Sequence, residues 1–312
     1  MDLNYLSPSE TRCILCESMD QTPLIRNDRY FMRLTCAGCN TCGLIQINPR
    51  PTDEALHEFY KSDYRSFYQG VKNPSDEYIE QMRKNERLDY TVDHLKSSMN
   101  FDQVENLLDF GCSEGALFKA LSRAGFSGRM IGVEANPTFA AFAMSTPGVT
   151  VHSSLADVNE SVELVTLNHV LEHLTRPREV LISLRSRLSA DGRLYIDVPD
   201  AEQYSSIQDF HIAHVAHYTS RTLGQLVRDA GYAVLHLEKH EPPSHPRSLR
   251  LLARPLGQEE ASETMDPVSR ETEAEVWRRI ASFHVLIPEV KHRLKLQRRA
   301  VKNWLRKLIR GK

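Results

Sequence analysis

The sequence predicts an α/β chain: a doubly wound, mainly parallel sheet, preceded by a small cysteine-bearing module and followed by a helical tail. Three observations carry this. Between about residues 104 and 255, short β-branched runs alternate with helical patterns, as strand–helix–strand units require. Five of the six cysteines fall in the first 42 residues. From Trp277 to Lys312 there are twelve Lys or Arg against one acid, Glu289.

These features divide the 312 residues into a module over 1–50, a helical connector or lid over 51–103, the α/β unit over 104–255, and a linker with a basic tail over 256–312. That length exceeds the usual single domain, and a hydrophobic content of 41% can supply a full core. The net charge of −2 gives no overall attraction to nucleic acid. The tail is +11, so residues 1–276 carry −13. No apolar run approaches the roughly 18 to 20 residues that span a bilayer. The opening MDLNYLSPSE has neither a basic nor an apolar leader region, so a soluble, cytoplasmic protein is expected.

The cysteines come as CILC (13–16) and CAGCNTCG (36–43). In a reducing compartment, paired CxxC units read as metal ligands rather than disulfides. Two such knuckles complete a tetrahedral, four-thiolate zinc site, which has no open position and is structural. Cys36 with Cys39 and Cys39 with Cys42 compete for the second knuckle. Gly43 after Cys42 eases the return of the chain, which favours Cys13, Cys16, Cys39 and Cys42.

GLIQINPRP (43–51) reads as a short strand ended by prolines. Residues 51–98 read mostly as helix. YKSDYRSFY (60–68) holds four aromatics, which either pack helices on the neighbouring unit or form a lid over a ligand. Over 77–95, Tyr78, Met82, Leu88, Val92 and Leu95 fall near one face of a helix.

Next comes the strand VENLLDF, then the helix SEGALFKALSRAG, which ends at Gly125. RMIGVEA is a strand, and PTFAAFAMS a helix with proline at its start. VTVHSS and VELVTLNHV are strands, followed by the helix REVLISLRSRL and the strand GRLYIDVPD. RTLGQLVRDAG is a helix, and YAVLHLE and RSLRLLAR close the pattern as strands.

In such sheets ligands sit beyond the carboxyl ends of the strands. ENLLDFGCSEG (105–115) is a strand that breaks there into a glycine turn. A dinucleotide fingerprint needs glycine at 111, 113 and 116, where the chain has Gly111, Ser113 and Ala116. A P-loop also fails, since Ala116 and Leu117 stand where Gly-Lys is required. What remains is Asp109 ahead of Gly111 and Gly115, with Glu134 closing the next strand, placed to accept from ribose hydroxyls. An acid at the turn favours a cationic partner over a pyrophosphate. A positively charged nucleoside without phosphates, such as S-adenosylmethionine, fits.

DFGCSEGALF, IGVEANP, VTLNHVLEHLTRP and LSADGRLYIDVPD resemble the successive motifs of class I S-adenosylmethionine-dependent methyltransferases, whose sheet is Rossmann-like. The resemblance covers about 104–255. The paired cysteines with CNTCGLIQINPRP and YKSDYRSFY are similar to a zinc-bearing subgroup common in surface-polysaccharide and nucleotide-sugar metabolism. The resemblance implies that Asp109, Gly111, Cys112 and Gly115 wrap the methionine and ribose portion. It places Glu134 on the ribose hydroxyls with Ala135 beside the adenine, and Ser154 and Leu155 flanking the adenine ring. Asn168 and His169 would stand near the sulfonium. Ser113 replaces the commoner glycine of that turn, and serine is strained at positive φ.

Methyl transfer requires alignment first, and a base only where the acceptor loses a proton. His169 ends a strand, whereas Glu172 and His173 read as structural, opening a helix and binding nearby backbone. His211, His214 and His217 share a spacing of three, but no carboxylate lies at a spacing that supports a catalytic metal. Sugar C-methyltransferases carry His-Glu-His at the comparable place, followed by HGGSLR. Here the stretches are His214-Val-Ala-His217 and SHPRSLR, which points away from C-methylation. The expectation is O-methylation of a sugar, nucleotide sugar or polysaccharide intermediate, with His214 or His217 as base. A sugar C-methyltransferase, a zinc-bearing RNA methyltransferase and a non-catalytic binding module remain the alternatives. In the tail, Val290, Leu294, Val301, Leu305 and Leu308 line one face of a basic helix over 290–312. It would pack on the body or on another subunit, or contact an anionic membrane or RNA.

Overall fold

The computed structural model describes residues 11–29, 33–62, 73–243, 247–257 and 270–284. The basic helix expected over 290–312 and most of the aromatic stretch 60–68 lie outside them.

The chain opens with β1 (Gln21–Asn27), β2 (Arg33–Cys39) and β3 (Ile45–Ile47), then α1 (Asp53–Ser62), α2 (Asp76–Gln81) and α3 (Lys84–Ser98). Alternation follows: β4 (Asn106–Phe110), α4 (Ala116–Arg123), β5 (Arg129–Val133), α5 (Pro137–Ala143), β6 (Val149–His152), β7 (Val162–Asn168), α6 (Pro177–Arg185) and β8 (Leu188–Pro199). After them come β9 (Ala216–His217), α7 (Ser220–Asp229), β10 (Tyr232–His240), β11 (Ser248–Pro255) and α8 (Arg270–Ala281). Among the described residues, no helix is long and apolar enough to cross a membrane.

The large sheet has the order β10-β11-β8-β7-β4-β5-β6. The five strands from β8 to β6 are parallel, and β11 runs antiparallel to both of its neighbours. The expected doubly wound architecture is therefore present. Strand order reverses between β4 and β7, which opens a crevice at their carboxyl ends. Alternation along β4 feeds two cores. Leu107 packs with Leu117 and Phe118 of α4, and Leu108 with Val165 and Ile196 on the opposite face.

Local signals fix the helices. Asn136 Oδ1 accepts from the N–H groups of Thr138 and Phe139 at 3.0 and 3.3 Å, capping α5 ahead of Pro137. Thr219 and Thr222 form a reciprocal cap at the start of α7. The helix read over 77–95 is broken instead. Arg83 adopts φ 51, separating α2 from α3. The break turns Met82 outward, so that it is 44% exposed rather than on the buried face.

The smaller sheet has the order β1-β2-β3-β9. Its first two strands form a hairpin that the sequence pattern did not reveal. Its fourth strand comes from the histidine stretch, with Ile45 opposite His217 and Gln46 opposite Ala216. The cysteine module is thus joined by backbone pairing to the α/β unit. α8 closes this region, burying Val276 and Ile280 against Ile25, Ile45 and Phe210. A Cβ on Gly38 of β2 would lie 2.5 Å from the Trp277 ring of α8. Gly38→Ala is therefore expected to lower unfolding free energy by about 1–3 kcal/mol, read by urea denaturation.

Candidate functional site

A cavity of about 1040 Å³ occupies the crevice at the carboxyl ends of β4, β5, β6 and β7. Its floor is the glycine turn after β4. Gly111 takes φ 77, and a Cβ there would meet the Val170 side chain at 2.7 Å. The N–H groups of Gly111 and Cys112 both donate to the Val133 carbonyl, at 2.8 and 3.1 Å. Ser113 does adopt the left-handed region, with φ 54. Its N–H donates to Glu134 Oε2 at 3.0 Å, while Glu134 Oε1 accepts from the Asn136 N–H at 2.8 Å. One carboxylate thus ties the turn after β4 to the turn after β5.

Ten of the residues expected at the site line this cavity: Asp109, Gly111 and Cys112 at the turn; Glu134 and Ala135 after β5; Ser154 and Leu155 after β6; and Asn168, His169 and His214. Gly115 and His217 are not in its wall. Gly115 has φ 75, and a Cβ there would lie 2.8 Å from that of Ala143, so this glycine serves the packing of α4 on α5. His217 is 1% exposed, with Nδ1 3.0 Å from the Tyr204 hydroxyl and Nε2 3.9 Å from Cys36 Sγ. Burial lowers its pKa to about 3, so it is neutral. Lying behind the wall, it contacts no space that an acceptor could occupy.

Asp109 is 4% exposed and accepts from Thr166 Oγ1 at 2.7 Å. Burial raises its pKa to about 7, against the opposing effect of that hydrogen bond.

Sequence reasoning took Glu172 and His173 for structural residues. His173 does bind backbone, its Nδ1 lying 2.6 Å from the Ala213 carbonyl. Glu172 does not. It is 1% exposed, lines the cavity, and neither carboxylate oxygen has a hydrogen bond. Imidazole nitrogens surround its Oε1: His169 Nδ1 at 3.3 Å, His173 Nε2 at 3.8 Å and His214 Nε2 at 3.9 Å. The His211 ring lies against His214, with centroids 3.8 Å apart and planes tilted by 47°. Burial holds His211 and His214 well below the usual imidazole range. The carboxylate that seemed to be missing from the histidine stretch comes from the loop after β7. No local spacing could have revealed it. Lys84 and Arg87 of α3 also face the cavity and were not foreseen, and so does Tyr60 of α1, the first residue of the aromatic stretch read as packing or a lid.

The cysteines meet as expected for the second pairing. The thiols of Cys13, Cys16, Cys39 and Cys42 all lie within 4.8 Å of one another, with Cys13–Cys42 and Cys16–Cys39 each at 3.5 Å. Tetrahedral zinc with ~2.3 Å bonds sets its sulfurs ~3.8 Å apart, so the set fits the ion. A hydrogen bond from Cys42 lowers Cys13 to about 5 and correspondingly pushes Cys42 up. Burial likewise pushes Cys16 up, to about 11. Cys36 lies apart, beside His217.

The family profile described as a methyltransferase domain matches residues 78–237, just over half of the chain. The chain belongs to the methyltransferase-domain family. Its matched segment is 29% identical over 121 residues to the mitochondrial ubiquinone biosynthesis O-methyltransferase of Schizosaccharomyces pombe, over 35% of this chain and 43% of that protein. The chain thus spans less than half the length of that relative. Among solved structures, the plantazolicin methyltransferase in complex with SAH matches with a TM-score of 0.50 and 12% identity, over 64% of this chain and 94% of that one. Mitomycin 7-O-methyltransferase gives a TM-score of 0.50 and 12% identity, over 64% of this chain and 60% of that one. At these identities the likeness is one of fold.

The raised pKa of Asp109 has a consequence for this methyltransferase in its ligand-free form. Its folded pKa lies above the unfolded value of 3.8, so the native state binds more protons between about pH 4 and 7. The contribution is complete below pH 4 and is lost as pH rises through 7. The rough upper figure is about 4 kcal/mol, from about three pKa units at about 1.4 kcal/mol each. Asp109→Asn is expected to flatten that part of the stability–pH curve, measured by urea denaturation across the range.

Proposed function

We propose that this methyltransferase transfers the methyl group of S-adenosylmethionine to a hydroxyl of a small-molecule or glycan acceptor. The observation that carries the reading is the cavity at the β4/β7 switch, with its glycine turn clamped by Glu134 and a carboxylate–imidazole cluster on the facing wall. Glu134 stands at the end of β5, where an acid meets ribose hydroxyls in doubly wound sheets. The turn after β4 offers backbone at close range, and Asn168 ends β7 in the wall of the same cavity.

In the reaction, an acceptor oxygen lone pair attacks the methyl carbon. The C–O bond forms as the C–S bond breaks, and the bonding pair returns to sulfur to give neutral S-adenosylhomocysteine. The hydroxyl proton passes to the cluster around Glu172. His214, buried and neutral near pH 7, is able to accept it. The O-methyltransferase name of the yeast relative supports oxygen as the acceptor atom. The sugar or polysaccharide class rests on the resemblance of the cysteine and aromatic motifs. The four cysteines would hold a structural zinc, tying the module to α7 through Arg221, which donates to the Cys42 carbonyl.

S-adenosylhomocysteine is expected to bind one per chain by calorimetry, and Glu134→Ala to weaken it at least tenfold. Absence of binding to folded wild-type protein would sink the cofactor assignment. His214→Ala should lower kcat by roughly 100-fold or more while leaving the S-adenosylhomocysteine affinity within about twofold. Metal analysis should return one zinc per chain at the cysteines, lost in Cys16→Ser/Cys39→Ser protein.

A further inference from the structure

We propose that Glu172, His173 and His214 form a second metal site, which takes a divalent first-row transition cation in the wall of the cavity. Their ligand atoms lie within 4.8 Å of one another, and both imidazole Nε2 atoms face the same Glu172 oxygen. Ligands bound to such a cation at ~2.0–2.1 Å sit ~3.4 Å apart in tetrahedral geometry. The observed 3.8 and 3.9 Å separations close to that value with small side-chain rotations.

Three further observations point to a cation. Glu172 is 1% exposed, and among the described residues neither of its oxygens has a hydrogen bond; the Arg87 guanidinium acts on it only through space, so both oxygens keep lone pairs for a ligand. His173 Nδ1 faces the Ala213 carbonyl, which can only accept, so this nitrogen carries the proton. A metal-binding imidazole characteristically donates its other N–H to a carbonyl in this way. His214 Nδ1 makes no hydrogen bond that would hold the ring in another role.

The chemistry selects the ion. Two imidazoles and one carboxylate suit zinc, iron(II), cobalt(II) or manganese(II), whereas magnesium and calcium prefer all-oxygen sites. Three protein ligands leave coordination positions open, and all three residues line the cavity. An acceptor hydroxyl bound there would ionise more readily and be held for attack. That role rests on the methyl-transfer reading, but the site itself does not.

The test uses the full chain carrying a single equivalent of zinc, held by the four thiolates, and then titrated with cobalt(II), with optical spectra and metal stoichiometry as readouts. Thiolate-to-cobalt charge transfer marks any cobalt at the cysteines, while ligand-field bands without it mark the proposed site. One cobalt per chain without thiolate charge transfer is expected, lost in Glu172→Gln and weakened at least tenfold in His214→Gln. Circular dichroism checks that each variant folds, and the second variant serves if the first does not. No cobalt outside the cysteines, or binding unchanged in folded variants, would overturn the proposal. S-adenosylhomocysteine binding to wild type, measured separately, shows whether the cofactor reading stands or fails independently.

Discussion

The antiparallel pairing of β3 with β9 is the constraint on which the far wall of the cavity depends. It has only two partners on each strand, yet it decides where the histidine stretch lies. The Ile47 N–H adds a bond to the Val215 carbonyl at 2.9 Å. Gln46, fully buried between them, uses its side chain in the other direction. Its Oε1 accepts from the Ile14 N–H at 2.8 Å, and its Nε2 donates to the Arg12 carbonyl at 3.0 Å. The first cysteine knuckle, β3 and β9 therefore form one hydrogen-bonded unit. A four-thiolate cross-link far from the reacting atoms would act on the site through this unit, by fixing the backbone that presents His211 and His214. Its effect would be positional, as a closed structural metal centre allows.

Two non-glycine residues at the switch take the same unfavourable conformation. Ser113 follows β4 and His169 follows β7, each with φ 54. Left-handed backbone at such residues costs on the order of 1 kcal/mol or more and persists only where the surroundings over-determine it. Both have that support. The Ser113 N–H is bound by Glu134, and the His169 N–H donates to the Asp197 carbonyl at 2.8 Å. The strain bends the chain sharply at the two strand ends that flank the crevice. This lets the turn after β4 face the ligand space and carries His169 over towards Glu172.

Much of this was legible in the sequence because it rests on local signals. Strand–helix alternation, the proline that opens α5 and the stop at Gly125 need only neighbouring residues. The failed phosphate spacings at Ser113 and Ala116, read with Asp109 and Glu134, marked the turn that forms the floor of the cavity. What stayed hidden depends on distant segments meeting. The hairpin of β1 and β2 has weak alternation, and β9 is too short to show any pattern. The helix break at Arg83 has no proline or glycine to announce it. Glu172 looked like a helix-opening residue because its partners at 173 and 214 come together only through the β3–β9 pairing. His217 looked equivalent to His214, but His217 is drawn into β9 opposite Ile45 and is buried, whereas His214 lies in the loop before that strand.

The distribution of charge around the cavity narrows what each wall can bind. Lys84 pairs with Glu114 at 2.6 Å, with side chains 12% and 2% exposed, so these two charges offset each other beneath the turn. Asp109, its pKa raised to about 7 by burial, is partly protonated near neutrality. Burial alone would raise Asp197, but the His240 hydrogen bond and the neighbouring imidazole and guanidinium charges leave it lowered and ionised. Glu134 remains on the turn side with its oxygens engaged by backbone, suited to neutral hydroxyl partners. On the opposite side the Glu172 oxygens face imidazoles at 3.3 to 3.9 Å, with the buried Arg87 guanidinium acting on the carboxylate from farther away. On the proposed reading, a sulfonium between these walls would meet negative potential on both sides, and the attraction would fall once the methyl group leaves and the sulfur becomes neutral. The same field that attracts the donor would therefore hold the product less tightly, which favours its release after transfer.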